Sequence, residues 1–351
     1  MRKLITFFTL FFSFFLCSQE PLFTLLDESK TGIDFSNDLV DTEEHSIFLY
    51  ANYYGGAGVG IGDFDNDGLE DIFLAANLLD DKIYKNLGNL KFEDKTKMSG
   101  IINNGSWSTG VTVADVNNDG LLDIYVSCEL YDDLPILRTN KLYINKGNFK
   151  FKESAEDWGV DVDRRTRHSV FFDFNNDGLL DLYLLNHPPN TGNFSPFFGT
   201  DMTLPEYNLQ LFENKGNHFE DVTESAGLDR SGFPNAAVIG DFNKDGWPDI
   251  YVANDFDAPD FLYFNNKDGS FTYKTETSLR HTSFYSMGVD AADINNDSHL
   301  DLMVLDMTAE DNFRLKSNMS GMNPDSFWSV VNGGGHYQYM FNTLQINNGN
   351  N

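Results

Sequence analysis

Three observations on the 351-residue sequence predict an all-β chain folded as a β-propeller of four-stranded blades. One nine-residue acidic loop occurs five times. Each copy leads into the same series of short strands punctuated by turns. The copies begin at Asp63, Asp115, Asp173, Asp241 and Asp293, at spacings of 52, 58, 68 and 52 residues. Four strands in roughly 40–60 residues is the arithmetic of a propeller, whose blades share one continuous core. A jelly roll or a sandwich would not repeat a motif in this way.

The chain opens with Arg2 and Lys3 and then thirteen residues, Leu4 to Leu16, that are apolar or weakly polar. That run is shorter than the ~18–20 residues of a spanning helix, and polar sequence follows at once, so residues 1–18 read as an export signal. No other stretch can cross a membrane. Two fates of the leader stay open: cleavage near Cys17 or Ser18 leaves a free extracellular protein, and lipidation of Cys17 leaves a lipoprotein of the outer envelope or cell surface. Cys128, the second of two cysteines, lies in a strand sequence and reads as a small core residue.

Residues 19–54 form an N-terminal strand and connector. Phe23 to Gly32-Ile33 resembles the end of the later repeats, Phe92 to Gly100-Ile101, Phe151 to Gly159-Val160 and Phe219 to Gly227-Leu228. The segment therefore reads as the last strand of a unit, able to close the ring. Residues 55–351 are the repeats. In the first, Gly58 to Phe64 is a strand with small residues where backbones crowd. The loop turns the chain, and Asp71-Ile-Phe-Leu-Ala-Ala is apolar throughout, as expected of a strand covered on both faces. Lys82 to Asn86 is the third strand, Gly88-Asn89 a turn, and Lys91 to Thr96 an outer strand. No helical period is evident. The fifth unit ends at the third-strand pattern, so the last blade is incomplete in this chain. Either the sequence is part of a longer protein or the segment around Phe23 completes that blade.

The loops span 63–71, 115–123, 173–181, 241–249 and 293–301, with oxygen-bearing side chains at positions 1, 3, 5 and 9. Those are Asp63, Asp65, Asp67 and Asp71; Asp115, Asn117, Asp119 and Asp123; Asp173, Asn175, Asp177 and Asp181; Asp241, Asn243, Asp245 and Asp249; and Asp293, Asn295, Asp297 and Asp301. Such a turn, with the carbonyl of position 7, suits Ca²⁺, which takes six to eight oxygens at ~2.3–2.6 Å. Up to five calcium ions are expected, one per loop, in a structural role. Gly at position 6 supplies a positive φ in four copies, and Ser298 replaces it in the fifth. The first loop, with four carboxylates, should bind best and the fifth worst. The net charge of −30 disfavours nucleic acid and anionic membrane as partners.

The long connections all follow the second strand: Glu129 to Thr139, His187 to Tyr207 and Met307 to Gln338. They lie at the opposite end of the blades from the loops and carry Phe194, Phe197, Phe198, Phe313, Phe327, Trp328 and Tyr337 as candidate contact residues.

The recurring Gly-Asp-Phe-(Asp/Asn)-Asn-Asp-Gly-Leu-x-Asp-(Ile/Leu)-Tyr-Val, followed by Leu-Tyr-x-Asn-x-Gly-Asn, resembles the FG-GAP/VCBS repeats of calcium-loop propellers such as integrin α-subunit heads. It is also similar to the propeller part of secreted bacterial proteins related to cartilage acidic protein, which carry an additional ASPIC/UnbV-type module. The resemblance covers residues 55–351 and departs from pattern at Ser298. It implies calcium in the loops, adhesion or extracellular recognition of a protein or glycan, and no defined reaction.

The rival reading is a secreted polysaccharide-active enzyme, a lyase or hydrolase. Its candidate residues are Arg164, Arg165, Arg167 and His168 just ahead of the third unit's first strand, with His187, His281 and His336. No nucleophile elbow, HExxH or CxxC pattern accompanies them.

Overall fold

The computed structural model describes residues 22–50, 52–130, 134–188, 204–256, 258–318 and 324–350. The leader and Cys17 lie outside them, as do Phe194, Phe197 and Phe198. No helix among the described residues is long and apolar enough to cross a membrane.

Four of the five repeats form four-stranded antiparallel sheets in simple up-and-down order. Blade one is Val59–Gly62, Asp71–Leu74, Lys82–Asn86 and Phe92–Asp94. Blade two is Trp107–Ala114, Asp123–Glu129, Lys141–Asn145 and Phe151–Glu153. Blade three is Arg165–Phe172, Asp181–His187, Gln210–Asn214 and Phe219–Asp221. Blade four is Pro234–Gly240, Asp249–Asn254, Phe261–Asn265 and Phe271–Tyr273. Blade five has three strands, Ser286–Ala292, Asp301–Asp306 and Thr343–Gln345, as the incomplete pattern predicted.

The apolar second strands are buried along their whole length in blades two, three and four. Their two faces feed two different layers. Phe73 and Ile83 of blade one pack with Ile124, Val126 and Tyr143 of blade two. The other face of blade two, with Tyr125 and Leu142, packs on Leu182 and Leu184 of blade three. Blades three and four share a layer, as do blades four and five. The core is therefore a series of inter-blade layers, which is why no blade can bury its apolar faces alone. First strands of successive blades lie side by side in chain order. The approach is close: a Cβ on Gly58 would stand 2.6 Å from the Val111 nitrogen, and one on Gly110 would stand 2.7 Å from His168 Nδ1.

Three expectations are corrected. The strand expected around Phe23 does not form, and Leu22, Phe23 and Leu25 are exposed. Phe23 stands nine residues before Gly32, whereas eight separate Phe92 from Gly100 and Phe219 from Gly227, and a one-residue slip turns a strand's faces over. What the segment does repeat is the closing turn. Glu28–Thr31 is one helical turn capped by Gly32 at φ 81°, and Gly32 packs on the Phe92 carbonyl as Gly100 packs on that of Phe151. Tyr84 donates to Asp34 (2.8 Å) where Tyr143 donates to the Ile102 carbonyl (2.9 Å). Second, Arg165 to His168 belong to the first strand of blade three rather than preceding it. Pairing of Arg165 with His187 and of Thr166 with Asn186, past a register shift, carries that strand to Arg165. Third, helices occur: Asn312–Asn318 and Pro324–Asn332 lie in the blade-five connection, and single helical turns follow the fourth strands of blades one, two and four. Four-residue turns are too short to show a period, and Pro324 starts its helix at a favoured position.

At the end of the blades remote from the loops, the residue before or near the third strand ties down the second. Asp81 accepts from the Ala76 amide (2.8 Å) and Asp260 from that of Asn254 (2.8 Å). Asn140 and Asn342 do the same for Cys128 and Asp306. Burial pushes the Asp260 carboxyl up to about 7 and Asp81 up to about 6. A raised carboxyl pKa gives stability that is full below the unfolded value of ~3.9 and is lost as pH rises through the folded value. The melting midpoint measured in chelator should therefore fall between pH 5 and pH 8. Asp260→Asn, which copies blades two and five, should flatten that fall. An equally steep profile in the variant would refute the assignment.

Candidate metal centre

Each loop is built on the same hydrogen bonds. The position-1 carboxylate accepts two turn amides: in the first loop Asp63 takes those of Asp67 (3.0 Å) and Gly68 (2.7 Å). Asp115, Asp173, Asp241 and Asp293 repeat the pair. Position 5 accepts the amide of position 7, as Asp119 does from Leu121 (2.9 Å). Positions 4 and 6 both have positive φ, for example Asn66 at 56° and Gly68 at 86°. That explains Asn at position 4 in four copies, since Asn tolerates the left-handed region. Ser298 is held at φ 69°, the strain expected of a side chain in place of Gly.

Position 9 has a second role. Asp123 is buried, and its two oxygens accept the Val116 amide (3.1 Å) and the Asn145 amide (2.8 Å), joining the loop to the third strand. Asp71, Asp181 and Asp249 do likewise. Burial raises Asp123 and Asp181 to about 7 and Asp71 and Asp249 to about 6. Each carboxylate oxygen retains a lone pair for a cation.

The donor set fits a hard divalent cation. In the first loop, ligand oxygens of Asp63, Asp65 and Asp71 lie within 4.8 Å of one another. One Asp65 oxygen is buried with no hydrogen-bond partner. In loops two, three and five the position-3 amide donates to position 5: Asn117 to Asp119 (3.0 Å), Asn175 to Asp177 (3.0 Å) and Asn295 to Asp297 (2.9 Å). The oxygen of the same amide accepts the position-5 backbone N–H (3.0, 3.1 and 2.9 Å), so presenting it to a cation means turning the side chain out of both bonds.

Two features of the site were missed by sequence reasoning. Asn145, Asn214, Asn265 and Asn347 close each third strand and reach back to the preceding blade. Asn145 Nδ2 donates to the Phe64 carbonyl, Asn214 to Val116, Asn265 to Phe174 and Asn347 to Phe242, all at 2.8 Å. Every acceptor is position 2 of a loop, so the loops are riveted blade to blade. Occurrence of this Asn in all five repeats was the available signal. The other feature is Lys85, whose ammonium bonds Asp65 and Asp67 (2.7 Å to Asp67).

The opposite end of the blades is built of other chemistry. Along the blade-five connection Phe327, Trp328, Tyr337, Tyr339 and Phe341 form a chain of ring contacts, with centroids 5.2–6.5 Å apart. Trp328 (52%), Tyr337 (42%) and Phe341 (44%) are exposed. Tyr337 also lines a groove of about 610 Å³ with Glu276, Arg280 and His336. His281 packs on Tyr339 and Phe341. Phe313 is exposed but makes no contact with this row among the ring contacts described.

Of the residues considered for catalysis, His187 is buried, bonds the Pro234 carbonyl (2.8 Å) and stands 3.8 Å from Glu129. Burial lowers its pKa. Arg167 reaches the buried Glu129 at 3.5 Å. Arg164 bonds the carbonyls of Pro205 and Asn208. Burial raises Asp255, near Asp306 and Arg167, to about 7.

A family model described as FG-GAP-like repeat matches residues 63–126, 199–252 and 241–304. The chain is similar to phosphatidylinositol-glycan-specific phospholipase D of Bos taurus, with 29% identity over 38% of this chain and 17% of that protein. It is also similar to cartilage acidic protein 1 of Homo sapiens, with 23% identity over 58% of this chain and 29% of that protein. The chain thus spans less than a third of the length of either relative. Among solved structures, an Agrocybe aegerita lectin recognising non-reducing terminal N-acetylglucosamine aligns over 70% of this chain and 60% of its own, with 17% identity and a TM-score of 0.42. A β-1,3-galactosidase of glycoside hydrolase family 43 aligns over 72% and 86%, with 11% identity and a TM-score of 0.36. Likenesses at that level carry no argument about function.

Proposed function

On the premise that this chain carries FG-GAP-like repeats on a β-propeller scaffold, we propose that it is an exported recognition scaffold, stabilised by calcium, that binds a glycan or protein partner through the long-connection end of its blades. The metal ligands are the side chains of loop positions 1, 3, 5 and 9. The leader, residues 1–18, supports export to the cell surface or beyond, as a free or lipid-anchored protein. The observation that carries the partner site is the exposed aromatic row of Trp328, Tyr337 and Phe341. Flat aromatic faces stack on the apolar faces of sugar rings and anchor protein interfaces at low entropic cost.

The measurement is a glycan and protein binding screen with wild type and Trp328→Ala/Tyr337→Ala. Loss of an aromatic anchor of this kind is expected to weaken a hit at least thirtyfold, from a ≥2 kcal/mol hot-spot contribution. Unchanged affinity for every hit would move the partner site elsewhere. A second reading, a polysaccharide-active enzyme, is supported by Asp255, a buried carboxyl near the long-connection end that burial raises to about 7, the range of a general acid. Release of new reducing ends in the same samples, abolished by Asp255→Asn, would favour it.

A further inference from the structure

The third strand of each blade passes behind its loop, and one position on or just beyond it varies between cationic, anionic and apolar. It is Lys85 in blade one, Ile144 in blade two, Glu213 in blade three, Phe264 in blade four and Ile346 in blade five. In blades one and three this side chain touches loop position 3: Lys85 bonds Asp65, and Glu213 accepts from Asn175 Nδ2 at 3.2 Å. The first loop is also the one loop with Asp rather than Asn at position 3. In loops two, three and five a neutral amide N–H bridges positions 3 and 5. In loop one the Lys85 ammonium makes that bridge, donating to both Asp65 and Asp67.

Lys85 is held there. Its side chain is only 21% exposed and that of Asp65 16%. Its ammonium lies 5.4 Å from the centroid of the Phe149 ring, supplied by the next blade. Lys267 in blade four is a useful contrast. It meets the Asp245 carbonyl at 3.0 Å and carboxylate at 3.4 Å, but its side chain is 44% exposed. A flexible solvent-facing lysine moves aside readily, and an enclosed one with two carboxylate partners does not.

We propose that Lys85 is the resident cation of the first loop, so that blade one keeps its loop shape without calcium while the other loops take the metal. This rests on the calcium reading above and reverses the order expected from carboxylate number. To enter loop one, a divalent ion must displace a full positive charge from Asp65 and Asp67. In loops two, three and five it must displace a neutral amide N–H. Like charges a few ångströms apart in a half-buried site repel strongly, so the first loop should be at least roughly a hundredfold weaker for calcium than its four carboxylates suggest.

Calcium stoichiometry by equilibrium dialysis tests this, with the full chain and Ca²⁺ alone as the probe. Lys85→Met is expected to bind one more calcium per chain than wild type, and Asp65→Asn in the wild-type background to bind the same number as wild type. Lys85→Gln, which supplies a neutral amide, serves if the methionine variant does not melt cooperatively. Equal stoichiometry in wild type and the Lys85 variants, or loss of one calcium on Asp65→Asn, overturns the proposal while leaving calcium binding intact. A wild type that binds no calcium at any loop overturns the calcium reading itself, and the proposal with it.

Discussion

Chelation of calcium is expected to lower the melting midpoint by roughly 10–15 °C. Extracellular calcium modules commonly bind with Kd of about 10⁻⁴ M. At about 1 mM calcium each such site adds ~1.4 kcal/mol to the folded state by mass action. Four working loops then add ~5–6 kcal/mol, and each kcal/mol is worth about 2–3 °C for a chain of this size. The structure gives a reason for the loss to exceed mere ligand release. Asp115, Asp119 and Asp123 crowd one turn, and Asp123 is buried with its carboxyl at about 7 when no cation faces it. Without a cation, ionising it above pH 7 costs stability, and with one the charge is compensated. The calcium-dependent gain should therefore be larger at pH 8 than at pH 6, and binding near pH 7 should release protons. Scanning calorimetry with and without EGTA at both pH values reads all of this. A midpoint indifferent to EGTA, with no metal detected in the purified protein, would refute a structural role for calcium.

How much of this was legible in the sequence depends on what each residue interacts with. Asp63, Gly68 and Asp71 act within one turn, so their spacing disclosed the loop, and five copies disclosed the propeller. The apolar run from Ile124 to Cys128, interrupted only by Ser127, disclosed a strand covered on both faces. The recurrence of Asn145 and Asn214 marked a position but not its role, because their partners, Phe64 and Val116, stand 81 and 98 residues away in the preceding blade. Lys85 read as one polar residue of the third strand, and only the packing of that strand behind the loop shows its ammonium beside Asp65. The slip at Phe23 was hidden because Gly32 keeps the closing turn of the repeat. Aromatic residues of the blade-five connection were visible as composition. Their stacking order was not, since it follows from the pairing of Gln338–Tyr339 with Thr282–Ser283.

Asn214→Leu is expected to destabilise the protein by about 3–6 kcal/mol, an effect shared with the equivalent Asn145 and Asn265. Asn214 is 1% exposed. Its amide donates to the Val116 carbonyl (2.8 Å) and the Leu180 carbonyl (3.0 Å), and its oxygen accepts the Gly216 amide (2.8 Å). Leucine has the right volume and none of these groups, so two carbonyls and an amide lose their partners. Each unsatisfied buried group costs about 1–3 kcal/mol. Asn86→Leu is the internal control. Asn86 makes the bonds within its own blade, to the Glu70 carbonyl (2.8 Å) and from the Gly88 amide (2.9 Å), and none to a preceding blade is described. Its loss should cost about two-thirds as much on the same count. The difference between the two variants measures the blade-to-blade bond, and calcium gives that bond a wider meaning. Val116 is position 2 of the second loop, so the carbonyl that Asn214 holds moves with the turn that holds the cation. If the rivet transmits the order of one loop to the next blade, the cost of Asn214→Leu should be greater with calcium than in EGTA, while that of Asn86→Leu stays the same. Urea unfolding of both variants under both conditions gives the four numbers. Equal costs for Asn214→Leu with and without calcium would mean that each blade is stabilised separately and that the loops, though bonded in sequence, do not act on one another.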